Sequence, residues 1–122
     1  MKNITSKKEF FNTYTNSRVR YIVFKKGSKW YSVALEFNIV EVDNNPKKVL
    51  DALFMAVEGY IISARENKLD LSVLNQKPNK EYEKLWESIM INNRKTSIKR
   101  DNQKIMLPRN IYSYGFKNLI AV

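Results

Sequence analysis

Val19-Arg20-Tyr21-Ile22-Val23-Phe24, then Lys26-Gly27-Ser28-Lys29, Trp30-Tyr31-Ser32-Val33-Ala34-Leu35-Glu36-Phe37, Ile39-Val40-Glu41-Val42 and Asp43-Asn44-Asn45-Pro46 together decide the fold. Val19, Tyr21 and Val23 alternate with Arg20, Ile22 and Phe24. That is the two-residue period of a strand buried on one face and partly covered on the other. Gly27 marks a hairpin turn, because glycine reaches positive φ without a steric penalty. The next strand is expected over 30–37, with Tyr31, Val33, Leu35 and Phe37 facing one way and Trp30, Ser32, Ala34 and Glu36 the other. A third short strand covers 39–42. Connections this short predict antiparallel pairing.

Asn45 as cap and Pro46 at the first helical position open a helix. Val49, Leu50, Leu53, Val57, Tyr60, Ile61 and Ala64 recur at three- and four-residue steps, an apolar stripe that should lie on the sheet. Asn67 is the expected left-handed stop. Ala52, Ala56, Gly59 and Ser63 form a ridge of small residues beside the stripe, the pattern of close packing.

On the N-terminal side, Ser6 and Glu9 have capping-box spacing, and Phe10, Phe11 and Tyr14 follow. A short helix over 7–15 is predicted to close over the core. On the C-terminal side, Asn79 caps a helix expected over 80–91. Its apolar face is Tyr82, Leu85, Trp86 and Ile89, Glu81 and Glu83 favour its N-terminal dipole, and Asn92 and Asn93 end it. Ile22, Phe24 and Trp30 are expected on the sheet face that this Trp86 helix covers. A last helix is predicted over 109–120. The class is α+β: a three-stranded antiparallel sheet packed by one long amphipathic helix, with extra helices at both ends. Residues 1–92 form the α+β domain and 93–122 a basic C-terminal extension.

At 122 residues and 43% hydrophobic, one domain with one core is expected. No run of 18 apolar residues exists, so no membrane span is predicted. The first nine residues have no signal-like apolar run, and the expected compartment is the cytoplasm. The chain has no cysteine and no histidine, which excludes disulfides, thiol nucleophiles and thiolate zinc sites. It also removes the commonest general base and metal ligand. A non-enzymatic protein without cofactor or metal is expected. The net charge of +10 is unevenly spread: residues 1–29 carry eight basic side chains and one acid, 30–72 four and seven, 73–92 three and three, and 93–122 seven and one. Basic flanks around an acidic middle suit an anionic partner such as DNA or RNA.

The run Tyr21 to Phe24, the turn, Trp30 to Phe37, then Asp43 to Pro46 and the helix through Leu53, Ala56, Val57 and Tyr60 resembles the HicB-like antitoxin family over about 45 residues. The resemblance implies a compact, partial ribonuclease H-like domain. It also implies a regulatory binding role in a toxin-antitoxin pair, against a small basic toxin-like protein. A homodimer is among the expected assemblies. Lys104-Ile105-Met106-Leu107-Pro108-Arg109-Asn110-Ile111 resembles the opening of a ribbon-helix-helix unit, which implies DNA contact. Trp30, Glu36 and Phe37 are the candidate partner interface.

Two chemistries are open to these residues. Glu36, Glu41 and Asp43 are near in sequence, and clustered carboxylates are what a two-metal nuclease needs; solvated strand charges are the favoured reading, so a degenerate ribonuclease H-like nuclease ranks last. The basic run gives Lys99, Arg100, Lys104 and Arg109 as candidate nucleic-acid contacts, giving salt-dependent and sequence-blind affinity. Tyr112, Tyr114 and Phe116 follow; they have the rings to stack on unpaired bases, but packing in the core is the reading favoured for them. A basic nucleic-acid-binding protein without a toxin partner is the alternative function.

Overall fold

The computed structural model describes residues 11–98 and 110–120, the side chains of 94–98 excepted. The elements are β1 (Asn16–Lys26), β2 (Lys29–Ala34), β3 (Ile39–Asp43), α1 (Pro46–Glu66), α2 (Lys80–Ile98) and β4 (Ile111–Ile120). The class is α+β, and one antiparallel sheet has the order β3-β2-β1-β4. The sheet is therefore four-stranded, not three-stranded.

The additional strand replaces the expected C-terminal helix, and with it the helix of the ribbon-helix-helix reading. β4 pairs along almost the whole of β1, from Asn16↔Ile120 to Phe24↔Ile111. Its aromatic residues favour an extended backbone. β1 would otherwise be an eleven-residue edge with unpaired N–H and C=O groups. Gly115 fits because a side chain there would meet the Tyr21 hydroxyl at 3.3 Å.

β2 ends at Ala34, earlier than the alternation predicts. Leu35–Phe37 form a 3₁₀ turn, and Asn38 follows at φ 52. The turn breaks the two-residue period. It sends Phe37 into the core beneath α1 and leaves Glu36 beside Arg20. Asn38 then ties this corner to the start of α2. Its amide donates to Gln76 Oε1 at 3.1 Å and to the Lys77 carbonyl at 3.0 Å, and its oxygen accepts from Asn79 N at 3.0 Å.

The two helices cover opposite faces. α1 packs on Val19, Ala34 and Phe37 through Leu53, Val57, Ile61 and Ala64. α2 packs on Ile22, Phe24, Val33 and Leu35 through Trp86 and Ile89. The register sets this division, because Ile22 stands opposite Val33 and Phe24 opposite Tyr31. Ile22 and Phe24 are therefore under α2 as expected, but on the same face as Tyr31, Val33 and Leu35 and not opposite them. Trp30, expected beside Ile22 and Phe24, instead pairs with Lys25 and lies on the α1 face with Ser32, whose hydroxyl donates to the Val49 carbonyl at 2.9 Å.

The helix ends follow local chemistry. Asn45 Oδ1 accepts from the N–H groups of Lys47 and Lys48 at 2.9 and 3.0 Å, the capping read from the sequence. At the other end Lys68, not Asn67, takes the left-handed conformation at φ 53. Leu69 N donates to the Ala64 carbonyl and Lys68 N to that of Arg65, the paired bonds that close a helix end. Asn67 stays on the right-handed side with its amide donating to the Ser63 carbonyl at 2.8 Å. Asn79 caps α2 through Glu81 N at 2.9 Å. α2 runs through Asn92 and Asn93 rather than ending there. Asparagine costs a helix interior less than about 0.7 kcal/mol, and Asn93 Nδ2 donates to the Tyr114 hydroxyl at 2.7 Å.

Of the expected N-terminal helix, residues 7–10 lie outside the described residues, and 11–15 are not helical. Asn12 holds this segment by polar bonds. It donates to the Leu74 carbonyl at 2.8 Å, accepts from Arg18 N at 2.7 Å, and exchanges bonds with Asn75.

Leu53 is fully buried among residues of β1, β2 and α1. Leu53→Ala should destabilise the fold by about 2–5 kcal/mol. Urea unfolding checks this, and an unchanged midpoint would put the wrong face of α1 on the sheet.

Candidate functional site

Arg20 extends from the middle of the central strand β1 onto the α2 face. Its backbone N–H donates to Glu36 Oε1 at 2.9 Å and its Nε to Glu36 Oε2. Its two terminal nitrogens donate to the two oxygens of Glu83, each at 3.0 Å, a bidentate fork. The guanidinium carbon is 5.3 Å from the Trp86 ring centroid. Burial by itself pulls the Arg20 pKa down, but hydrogen bonds from Glu83 and Glu36 and the attraction of both charges outweigh it and raise it above the ordinary value. Arg20 thus stays charged at any pH at which the protein is handled.

This arrangement fixes the three candidate interface residues in different surroundings. Glu36 is committed to Arg20. Phe37 is 2% exposed, with its ring 5.5 Å from that of Tyr60. Trp30 is half-buried near the opposite end of β2. The structure does not bring these three together. Nor do the three carboxylates meet. Glu41 and Asp43 project from β3 beside Ser32 and Trp30, on the sheet face away from Glu36. Asp43 accepts from Asn45 N at 3.1 Å. Among the described residues no group of three or more Asp, Glu, His or Cys side chains is placed to hold a metal ion.

A different constellation assembles on the β1–β4 half of the sheet. Tyr112 sits at a bulge, because Val23 pairs with Ser113 and Phe24 with Ile111. Its ring meets Trp30 edge-on, with centroids 5.8 Å apart, and the residue is 51% exposed. Lys25 Nζ lies 5.8 Å from the Trp30 ring. Further along the same face Lys117 Nζ is 4.8 Å from the Phe54 ring, whose edge meets Tyr21. On the other face Phe116, 56% exposed, packs on Trp86 and lies 4.9 Å beneath the Arg18 guanidinium. Tyr114 packs on Trp86 as well. Cations over rings are individually small contributions, about 0.5–1 kcal/mol when exposed. Here they set several positive charges beside exposed aromatic surface.

Lys99, Arg100, Lys104 and Arg109 lie outside the described residues. The residue that follows Arg109 is nevertheless anchored. Lys25 N donates to the Asn110 carbonyl at 2.9 Å, and Asn110 Nδ2 donates back to the Lys25 carbonyl at 3.0 Å. Among the described residues no helix is long and apolar enough to cross a membrane. No family model, curated protein or solved structure matches the chain.

The sequence offered no direct sign of the Arg20 clamp, since its partners lie 16 and 63 positions away. A lone arginine in an otherwise apolar strand was the available signal. Arg20→Met should cost about 2–3 kcal/mol, because it strands two half-buried carboxylates; partial solvent access keeps the figure below that of a fully buried pair. Adding Glu36→Gln and Glu83→Gln should restore most of the loss. Unfolding midpoints of the single and triple variants test it, and additive losses would disprove the clamp.

Proposed function

We propose that this chain is a non-enzymatic, regulatory binding module whose ligand is nucleic acid. The observation that carries the reading is the mutual Asn110–Lys25 bonding, which leads the basic run ending at Arg109 directly to the Lys25–Trp30–Tyr112 corner. Phosphates would be neutralised by Lys99, Arg100, Lys104 and Arg109, and by Lys25 at the corner that Asn110 adjoins. Such contacts release counterions, so affinity falls steeply with salt.

Electrophoretic retardation of the full chain on DNA and RNA should be visible at low salt and vanish as salt rises. Replacing Lys99, Arg100, Lys104 and Arg109 together by Gln should weaken all sequences alike. It should also flatten the salt dependence by about 0.7–0.9 for each phosphate no longer neutralised. Absence of any retardation at low salt defeats the reading.

A second reading keeps the HicB-like resemblance. The order β1, β2, β3, α1 is that of the resembling stretch. The outward side of α1 exposes Met55 and Ile62 among Asp51, Glu58 and Glu66, with Lys47, Lys48 and Arg65 on the same side. Exposed apolar side chains flanked by carboxylates suit a small basic toxin-like protein. Co-expression with a small basic protein encoded beside this chain would give a stable complex on size exclusion, weakened by Glu58→Lys.

Catalysis has no place in either reading. Labelled RNA or DNA incubated with the protein and Mg²⁺ or Mn²⁺ should stay intact. Cleavage abolished by Glu36→Ala or Asp43→Ala would reinstate the nuclease alternative.

A further inference from the structure

We infer that the strip of β1 and β4 beside α1 is a base-stacking site for unpaired nucleotides, so that the protein selects single-stranded over duplex nucleic acid. This deepens the nucleic-acid reading and rests on it. α1 lies mainly over β2 and β3. On the same face the β1–β4 half presents, in order along the strands, Lys117, Tyr21, Ser113, Tyr112 and then Trp30 with Lys25. From Tyr112 to Lys117 is five residues of strand, or about 17 Å at roughly 3.4 Å per residue.

Each part of the strip has a chemical use. The Trp30 and Tyr112 rings meet edge to face at 67° and are not stacked on one another, and Tyr112 is 51% exposed, so ring surface stays open to a further partner. An unpaired base stacks on such a ring whatever its identity, because every base has a π face. Bases inside a duplex are already stacked and cannot reach it. Lys25 and Lys117 flank the rings, and among the described residues neither is paired with a carboxylate. They stand where a backbone tracking along β4 would carry its phosphates. Asp43, opposite Trp30, lies on the β3 side, away from β4, and has an oxygen committed to Asn45 N–H. Lys25 and Lys117 therefore favour an anionic strand on the β4 side. The basic run enters at this same corner, through Asn110.

The test uses the full chain and fluorescein-labelled 20-mers, ribo- and deoxyribo- in parallel, as single strands and as the matching duplexes at one salt concentration. Anisotropy should show at least tenfold tighter binding of the single strands. Tyr112→Leu should lower single-strand affinity about fivefold to a hundredfold, with duplex binding and the salt slope unchanged, because the ring meets no phosphate. Trp30→Leu should do the same, and Tyr112→Phe, which keeps the ring, should bind as the parent does. Lys25→Gln should instead reduce the salt slope. Tyr112 is half exposed, so its variants are readable even if Trp30→Leu unfolds, which far-UV circular dichroism would reveal. Equal affinity for duplex and single strand, or full affinity in folded Tyr112→Leu, overturns the stacking site and leaves the nucleic-acid reading standing. No binding of any oligomer at low salt overturns both.

Discussion

Arg20 imposes the strictest requirement on this fold. It lies on the central strand, where its neighbours Val19, Ile22 and Val23 are fully buried. A cation in that position is tolerable only if its donors are met. Glu36 meets it from the turn after β2, and Glu83 from the first turns of α2. The consequence runs outward. Glu36 must leave the strand period to reach Arg20, which is why β2 gives way to the 3₁₀ turn. Glu83 must come down onto the sheet, and it brings Trp86 and Ile89 onto Ile22 and Val33. The second helix is therefore positioned by a charge as well as by its apolar face. The Asn38 bonds to 76–79 hold the same corner from the outside.

β4 links that core to the candidate site. Pairing with β1 completes the sheet and also sets the aromatic residues of β4 against cations of β1. Arg18 lies over Phe116, and Lys25 meets the Trp30 ring that Tyr112 adjoins. The bulge matters here. It shifts the alternation so that Tyr112 turns to the Trp30 side, while Tyr114 and Phe116 lie against Trp86 on the other. A strand without the bulge would have put all three rings on one face. One irregularity of one residue thus gives β4 aromatic surface on both sides of the sheet.

The parts of the fold legible in the sequence were those set by near neighbours. The hairpin at Gly27, the third strand, the Asn45 cap, Pro46 and the α1 stripe all rest on contacts within a few residues, and each is where the pattern puts it. The Trp86 helix and its Asn79 cap were legible for the same reason. What was missed depends on distant partners. Residues 111–120 suit a helix or a strand by composition, and only the unpaired side of β1 decides between them. The end of β2 is set by Arg20, and the continuation of α2 past Asn93 by Tyr114. The basic and aromatic character of the C-terminal third was plain, but its meeting with Lys25 and Trp30 was not. Neither the β1–β4 register nor the bulge leaves a local trace.

The division of labour between the charges bears on what the molecule does. Several acids that touch anything serve the chain itself. Glu36 and Glu83 hold Arg20, and Asp43 accepts from the backbone before α1. Asp70 takes the Ser72 side chain and backbone N–H at the turn before α2, bonds that hold its carboxyl below the usual range. These carboxylates are occupied by donors of the same chain, which suits scaffolding and not general acid–base work. The cations of β1 and β4 are arranged the opposite way. Lys25 and Lys117 lean on ring faces, contacts that orient a side chain without neutralising it. A fold that uses Glu36, Glu83, Asp43 and Asp70 internally, and leaves oriented lysines beside aromatic rings, presents positive charge where it also presents aromatic surface. Under the proposed reading, that combination would meet an anionic polymer with flat, accessible bases, and a purely electrostatic partner would leave the rings without a use.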